Sequence, residues 1–302
     1  MEKFYPEGLI SGRADNEYYL STPERLMAAA AKGLILEARA VVCSKEHDLH
    51  VELPFGKGVI PREEGALGIA EGTVRDIAIL SRVGKPVCFT PISAENGRVI
   101  LSRRLAQQRC EDEYLSKLEA GDIIDACVTH IEPFGAFVDI GCGISSLIPI
   151  DAISVSRIAD PSDRFYNGMM IKAAVKGREG GRLCLSHKEL LGTWEQNAER
   201  FTQGETISGI IRSVESYGVF IELMPNLAGL AEPFDGAAAG MSASVYIKAI
   251  IPEKMKIKLI IVDVFDTPKH TPQIEYFTQS QRLERWEYSV KGAQKEIFTV
   301  FA

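Results

Sequence analysis

Apolar and polar residues alternate in short runs along much of the chain. That is the period of strands with one packed and one wet face. Two stretches carry the pattern in the same order. One runs from Gly121 to Phe134-Gly135-Ala136-Phe137-Val138, the other from Gly204 to Tyr217-Gly218-Val219-Phe220-Ile221. In each, a glycine opens an alternating strand, and an aromatic-glycine step marks a tight bend into a second strand. A third strand follows at 144–149 or 227–232, then a glycine (Gly168, Gly240) and two closing strands. The closing strands are expected at 170–175 and 182–185 in the first copy, and at 244–251 and 256–262 in the second. The first copy has the longer intervening stretch, 155–167, expected to be a surface loop.

A third, weaker copy lies upstream, with strands expected at 34–42, 49–53, 58–61, 87–91 and 99–102. It lacks the aromatic-glycine signature. His47 and His50 stand there instead, to within one residue.

Helices punctuate the repeats. Thr22-Pro23-Glu24 is a start signal and Gly33 a stop; a second helix is expected from Arg103 to about Leu118. A third starts at Thr193 with Gln196 three residues on, its buried stripe being Trp194, Ala198 and Phe201. The chain therefore divides into an N-terminal segment and helix (1–32), a degenerate barrel (33–104), a linker helix (105–120), a barrel (121–190), a linker helix (191–203), a barrel (204–263) and a tail (264–302). The tail's Tyr276, Phe277, Trp286 and Tyr288 are expected to pack onto the third barrel.

Composition changes this picture little. The chain has 302 residues, 46% of them hydrophobic, which suits two or three folded domains. Its net charge of −7 argues against a simple electrostatic sponge for nucleic acid. It leaves room for a binder that stacks bases on aromatic rings with a few placed cations. The six cysteines form no CxxC pair and do not cluster with the histidines, so they are expected to be reduced thiols, with no metal and no cofactor. The N-terminus has acids where a signal peptide needs bases, and no run reaches the ~18 apolar residues of a membrane span. A cytoplasmic protein is expected.

The repeat unit, with [FY]-G-x-F-[VI], a Gly-Leu strand and a closing Leu-Ser, resembles the RNA-binding repeat named after bacterial small-subunit ribosomal protein S-one. The match is best over 121–188, through Phe134–Val138 and Leu185-Ser186-His187-Lys188. It continues over 204–263 and, through Gly58–Pro61 and Leu101–Arg104, over 33–104. Gly192-Thr193-Trp194-Glu195-Gln196-Asn197 also resembles short S-one-like proteins of low-GC Gram-positive bacteria. The resemblance implies an all-β fold with connecting helices: three tandem OB-fold, five-stranded β-barrel repeats.

It also implies a site. The paired aromatics, Phe134 with Phe137 and Tyr217 with Phe220, would stack on single-stranded bases. Arg182, with Lys172 and Lys176 as neighbours, would contact phosphate in the middle repeat, and Lys256 and Lys258 in the last. Pro149 and Glu232 stand where the family commonly carries a histidine, which weakens the expected affinity. Any one of these aromatics could be a core ring. The recurrence of the pair, and the presence of other residues to fill the core, favour stacking.

The expected partners are single-stranded RNA, mRNA above all, and the small ribosomal subunit, with a role in translation. The first repeat, with Glu63-Glu64 and no aromatic pair, fits docking on protein. Two rival readings stand: a scaffold docking on the ribosome or a nuclease, and a regulator of RNA turnover. An enzyme is not expected. No phosphate-binding glycine loop, GxSxG, HExxH or paired-carboxylate signature occurs.

Overall fold

The computed structural model describes residues 4–95, 97–266 and 274–301. Among these, the strands form three closed five-stranded barrels joined by short helices. The chain divides into two compact units. One takes in Met1–Leu118 with the short segment Asp139–Ser145, the other Glu119–Val138 with Ser146–Ala302.

In the first unit, α1 (Ala14–Leu20) and α2 (Pro23–Ala31) precede the barrel. The Thr22 hydroxyl accepts a hydrogen bond from Arg25 N–H, capping α2 as its sequence implies. The barrel comprises β1 (Leu36–Cys43), β2 (Leu49–Leu53), β3 (Gly56–Ile60), β4 (Pro86–Glu95) and β5 (Arg98–Ser102). Their order is β1-β2-β3-β5-β4, with β4 closing on β1. Inward residues such as Leu49, Val51, Ile60, Phe89 and Leu101 are fully buried and alternate with outward ones. A short α3 (Ile77–Leu80) lies between β3 and β4, and α4 (Arg103–Glu113) follows β5, capped by Ser102.

The other two barrels repeat this order. The second has β6 (Ile123–Glu132), β7 (Gly135–Asp139), β8 (Ser145–Pro149), β9 (Met170–Glu179) and β10 (Arg182–Ser186). After α5 (Trp194–Ala198), the third has β11 (Thr206–Glu215), β12 (Gly218–Met224), β13 (Leu227–Ala231), β14 (Ser242–Ile251) and β15 (Lys256–Phe265). The closing hairpins run longer than the hydrophobic pattern implies, because pairing continues past the core, as at Arg182 opposite Glu179.

Three local expectations change. Gly135 and Gly218 do not form the bends; Phe134 and Tyr217 occupy the turns, and the glycines begin the next strands. A Cβ on either glycine would sit 2.5 Å from a backbone oxygen, that of Ile148 or Ala231, so glycine is needed for close strand approach. The long insertion of the middle repeat is no free surface loop. Its Arg164 is wholly buried against Glu222 of β12, and its Asp163 pairs with Arg212 of β11 at 3.2 Å. The tail serves both barrels of its unit. Trp286 and Tyr288, the first on β16 (Arg285–Glu287) paired with β17 (Phe298–Val300), are buried in an apolar cluster continuous with the third-barrel core, while the Tyr276 hydroxyl accepts from Lys172 N–H at 2.8 Å.

Candidate nucleic-acid interface

The turn between β6 and β7 lifts Phe134 outward, leaving it 55% exposed. Phe137, three residues on, faces outward from β7 and is half-buried. Their ring centroids lie 6.1 Å apart at 87°. In the third barrel Tyr217 is 66% exposed, and its ring lies 6.1 Å from that of Phe220 at 88°. The same paired-ring geometry thus recurs on two barrel exteriors. The core-ring alternative fails, because inward neighbours such as Ala136, Val138, Val219 and Ile221 fill the barrels.

The register extends this surface. In the third barrel Ser213, Phe220, Leu230 and Lys258 lie side by side across β11, β12, β13 and β15. Two strand spacings separate Phe220 from Lys258 at the backbone, about 10 Å. Lys258 is exposed, and Lys256 lies two residues away on the same face. The row ends on β14, where Ala249 faces Lys258 and the register shift leaves Lys248 as the extra, exposed residue. The row therefore runs from rings to cations, which suits bases at one end and phosphate at the other.

The second barrel holds the same plan with fewer charges in the row. Cys184 faces Leu147 as Lys258 faces Leu230, so Arg182 takes the position of Lys256 and Cys184 that of Lys258. Arg182 is exposed, and Lys176 is the bulged residue on β9, equivalent to Lys248. Lys172 stands apart: it is exposed on β9 opposite Asp125 of β6, away from the ring row. Of the cations proposed from sequence, the fold thus aligns Lys176, Arg182, Lys256 and Lys258 with the ring rows and leaves Lys172 aside.

Two residues were missed by the pattern. His130 on β6 lies 6.3 Å from the Phe137 ring at 25°, close to stacked, and its Nε2 is 2.7 Å from a Glu132 carboxylate oxygen. Lys248 was the other. A strand pattern cannot reveal a bulge, but the matching Lys176 one repeat earlier was a usable signal.

His187, next to the closing Leu-Ser step, is no surface group. It is buried, its Nδ1 lies 2.9 Å from Ile153 O, and burial lowers its pKa from 6.5 to about 4.

The first barrel lacks the surface. His50 occupies the register position of Phe137 and Phe220, beside Val42 and Val59. His47 sits in a turn at φ 68°, its Nδ1 2.8 Å from Asp76, which pairs with Arg62 at 2.7 Å. Ile92 and Ile100 stand where the third barrel has Lys248 and Lys258.

Fold and surface together define a class: tandem five-stranded barrels of which two expose paired aromatic rings flanked by cations. Comparison with known proteins agrees. Residues 117–188 match the family described as S1 RNA binding domain. The chain is 31% identical over 196 residues to the small ribosomal subunit protein bS1 homolog of Bacillus subtilis, covering 59% of this chain and 51% of that one. It is 27% identical over 276 residues to the small ribosomal subunit protein bS1 of Leuconostoc lactis, covering 83% and 63%. A Staphylococcus aureus protein of the same name is 30% identical over 211 residues, covering 64% and 54%. The chain thus spans between about half and just under two thirds of the length of these relatives. The resemblance read from the repeat motif is borne out. Among the described residues no helix is long and apolar enough to cross a membrane.

Proposed function

We propose that the chain binds single-stranded RNA through the outer faces of its second and third barrels, and acts without catalysis on mRNA at the small ribosomal subunit. The observation that carries this reading is the recurrence of one outward ring pair, with the same separation and angle, on two barrels. Phe134, Phe137, Tyr217 and Phe220 supply sequence-tolerant stacking. Arg182, Lys176, Lys256 and Lys258 hold phosphates, and Lys172 adds charge at the edge. The names of the relatives support the ribosomal setting.

Titration with a fluorescent single strand of about 12 nucleotides tests it, comparing the native chain with Phe134→Ala/Phe137→Ala. At ~1–3 kcal/mol per stacked base, affinity falls by at least about fivefold. Binding that is absent, or unchanged by the double substitution, would overturn the reading.

The first barrel is left out of this RNA site. A protein-contact role, in which it docks on the ribosome or a nuclease, is favoured there by the exposed apolar residues Val42 and Ile77, and by Ile92, which stands where the third barrel has Lys248. Co-sedimentation with ribosomes after deletion of 1–118 checks that reading, and undiminished ribosome association refutes it.

A further inference from the structure

Three cysteines far apart in sequence converge in the first unit. Cys88 comes from β4, Cys110 from α4 and Cys142 from the segment after Asp139. All three are reduced and buried, and Cys142 is hydrogen-bonded to both of the others through sulfur. The hydrogen bonds from Cys110 and Cys88 draw the Cys142 thiol below its usual proton affinity, against burial and the nearby Glu7 carboxylate.

The position of Cys142 is imposed by its backbone. Its N–H donates to Tyr5 O at 2.9 Å, and its carbonyl accepts from Gln107 Nε2 at 3.0 Å. Its φ of 49° is left-handed, a conformation that a side-chain-bearing residue takes at some cost. Cys142 also lines a partly open cavity of about 210 Å³, together with Arg13, Leu34 and Arg109. A molecule the size of hydrogen peroxide has room there.

We propose that Cys142 is a peroxide-reactive thiol and that Cys110 resolves it to a disulfide. The Cys142 thiolate attacks one oxygen of hydrogen peroxide. The O–O bond breaks, hydroxide leaves, and Cys142 becomes a sulfenic acid. The Cys110 sulfur then attacks the Cys142 sulfur and the hydroxyl leaves as water. The balance is two thiols and one peroxide to one disulfide and two waters.

Cys110 is the better resolving partner for two reasons. Its sulfur approaches the segment closely: a Cβ on Gly141 would lie 2.8 Å from it. Cys88 is instead fixed in a strand paired on both edges, and its sulfur also lies 3.6 Å from the Glu37 carboxylate.

The test treats the full reduced chain with a few equivalents of hydrogen peroxide. Free thiols are then blocked with N-ethylmaleimide, and the unreduced digest is read by mass spectrometry. The expected product is a linked peptide pair containing Cys110 and Cys142, with two of the six thiols lost. Cys110→Ser should leave a Cys142 sulfenic acid that dimedone traps, and Cys142→Ser should abolish the link. Leu34→Trp keeps every thiol but narrows the cavity, and should slow the reaction even if a cysteine variant folds poorly. Oxidation of the more accessible Cys43, Cys127 or Cys184 ahead of Cys142 overturns the proposal. A Cys88–Cys142 link overturns the choice of partner.

Discussion

Removing Glu222 should loosen the second and third barrels from each other before it touches any RNA contact. Glu222 is buried on β12 and is the ion-pair partner of Arg164, which has no exposed surface. Burial pulls the Arg164 guanidinium below its ordinary pKa even against the attraction of Glu222. Arg212 approaches Glu222 at 2.8 Å but also has Asp163 at 3.2 Å. In Glu222→Leu, Arg212 therefore keeps a partner while Arg164 is left as an uncompensated buried charge. Breaking such a pair costs about 3–5 kcal/mol. The double variant Arg164→Met/Glu222→Leu replaces the pair by apolar groups and should recover most of that loss.

The assay is built into the chain. Its two tryptophans, Trp194 on α5 and Trp286 on β16, are both buried in the apolar cluster that takes in the third-barrel core and Ala174 of β9, so their fluorescence follows this part of the molecule. At a urea slope of ~2 kcal/mol/M, the single variant shifts the fluorescence midpoint down by roughly 1.5–2.5 M. A single variant that unfolds with the native midpoint would refute the reasoning. So would a double variant as unstable as the single one, because the penalty would then come from lost packing and not from a stranded charge.

Further outcomes follow from the same geometry. Tyr217→Ala/Phe220→Ala should weaken binding of a short single strand by at least about fivefold, with the barrel intact by circular dichroism. Lys256→Ala and Lys258→Ala should each lower the slope of log affinity against log salt by about 0.7, which titrations at several salt concentrations read directly. Unchanged slopes would remove these lysines from the phosphate path. His187 carries a pH dependence: burial holds its pKa at about 4 in the folded chain, against an ordinary 6.5. The unfolded chain binds this proton first, so the stability it confers is present above pH 6.5 and is lost as pH falls toward 4. The loss reaches about 3 kcal/mol, and denaturation of His187→Gln followed across that range should show a flatter profile.

Much of the architecture was legible in local pattern. Strand alternation, the Thr22 and Thr193 caps and the repeated aromatic-glycine step each obey constraints acting over a few residues, and they led to three barrels and to the ring pairs. The capping box at Thr193 and Gln196 forms as its spacing implies, although α5 stops at Ala198 and Phe201 is only half-buried beyond it. Other features depend on which distant segments closure brings together. The bulge that exposes Lys248 appears only when β14 and β15 pair. The stacking of His130 on Phe137 needs β6 and β7 in register.

The longest-range features left no trace in the one-dimensional pattern. Arg164 and Glu222 are 58 residues apart, and nothing near either indicates a buried charge pair. Cys88, Cys110 and Cys142 lie far apart in sequence, and nothing in their local pattern indicates that β4, α4 and the segment after Asp139 bring them together. Periodicity records the face on which a side chain lies, because that is set by its own backbone. Which partner waits on that face is set by the closed barrels and their packing, and so only the tertiary structure decided it.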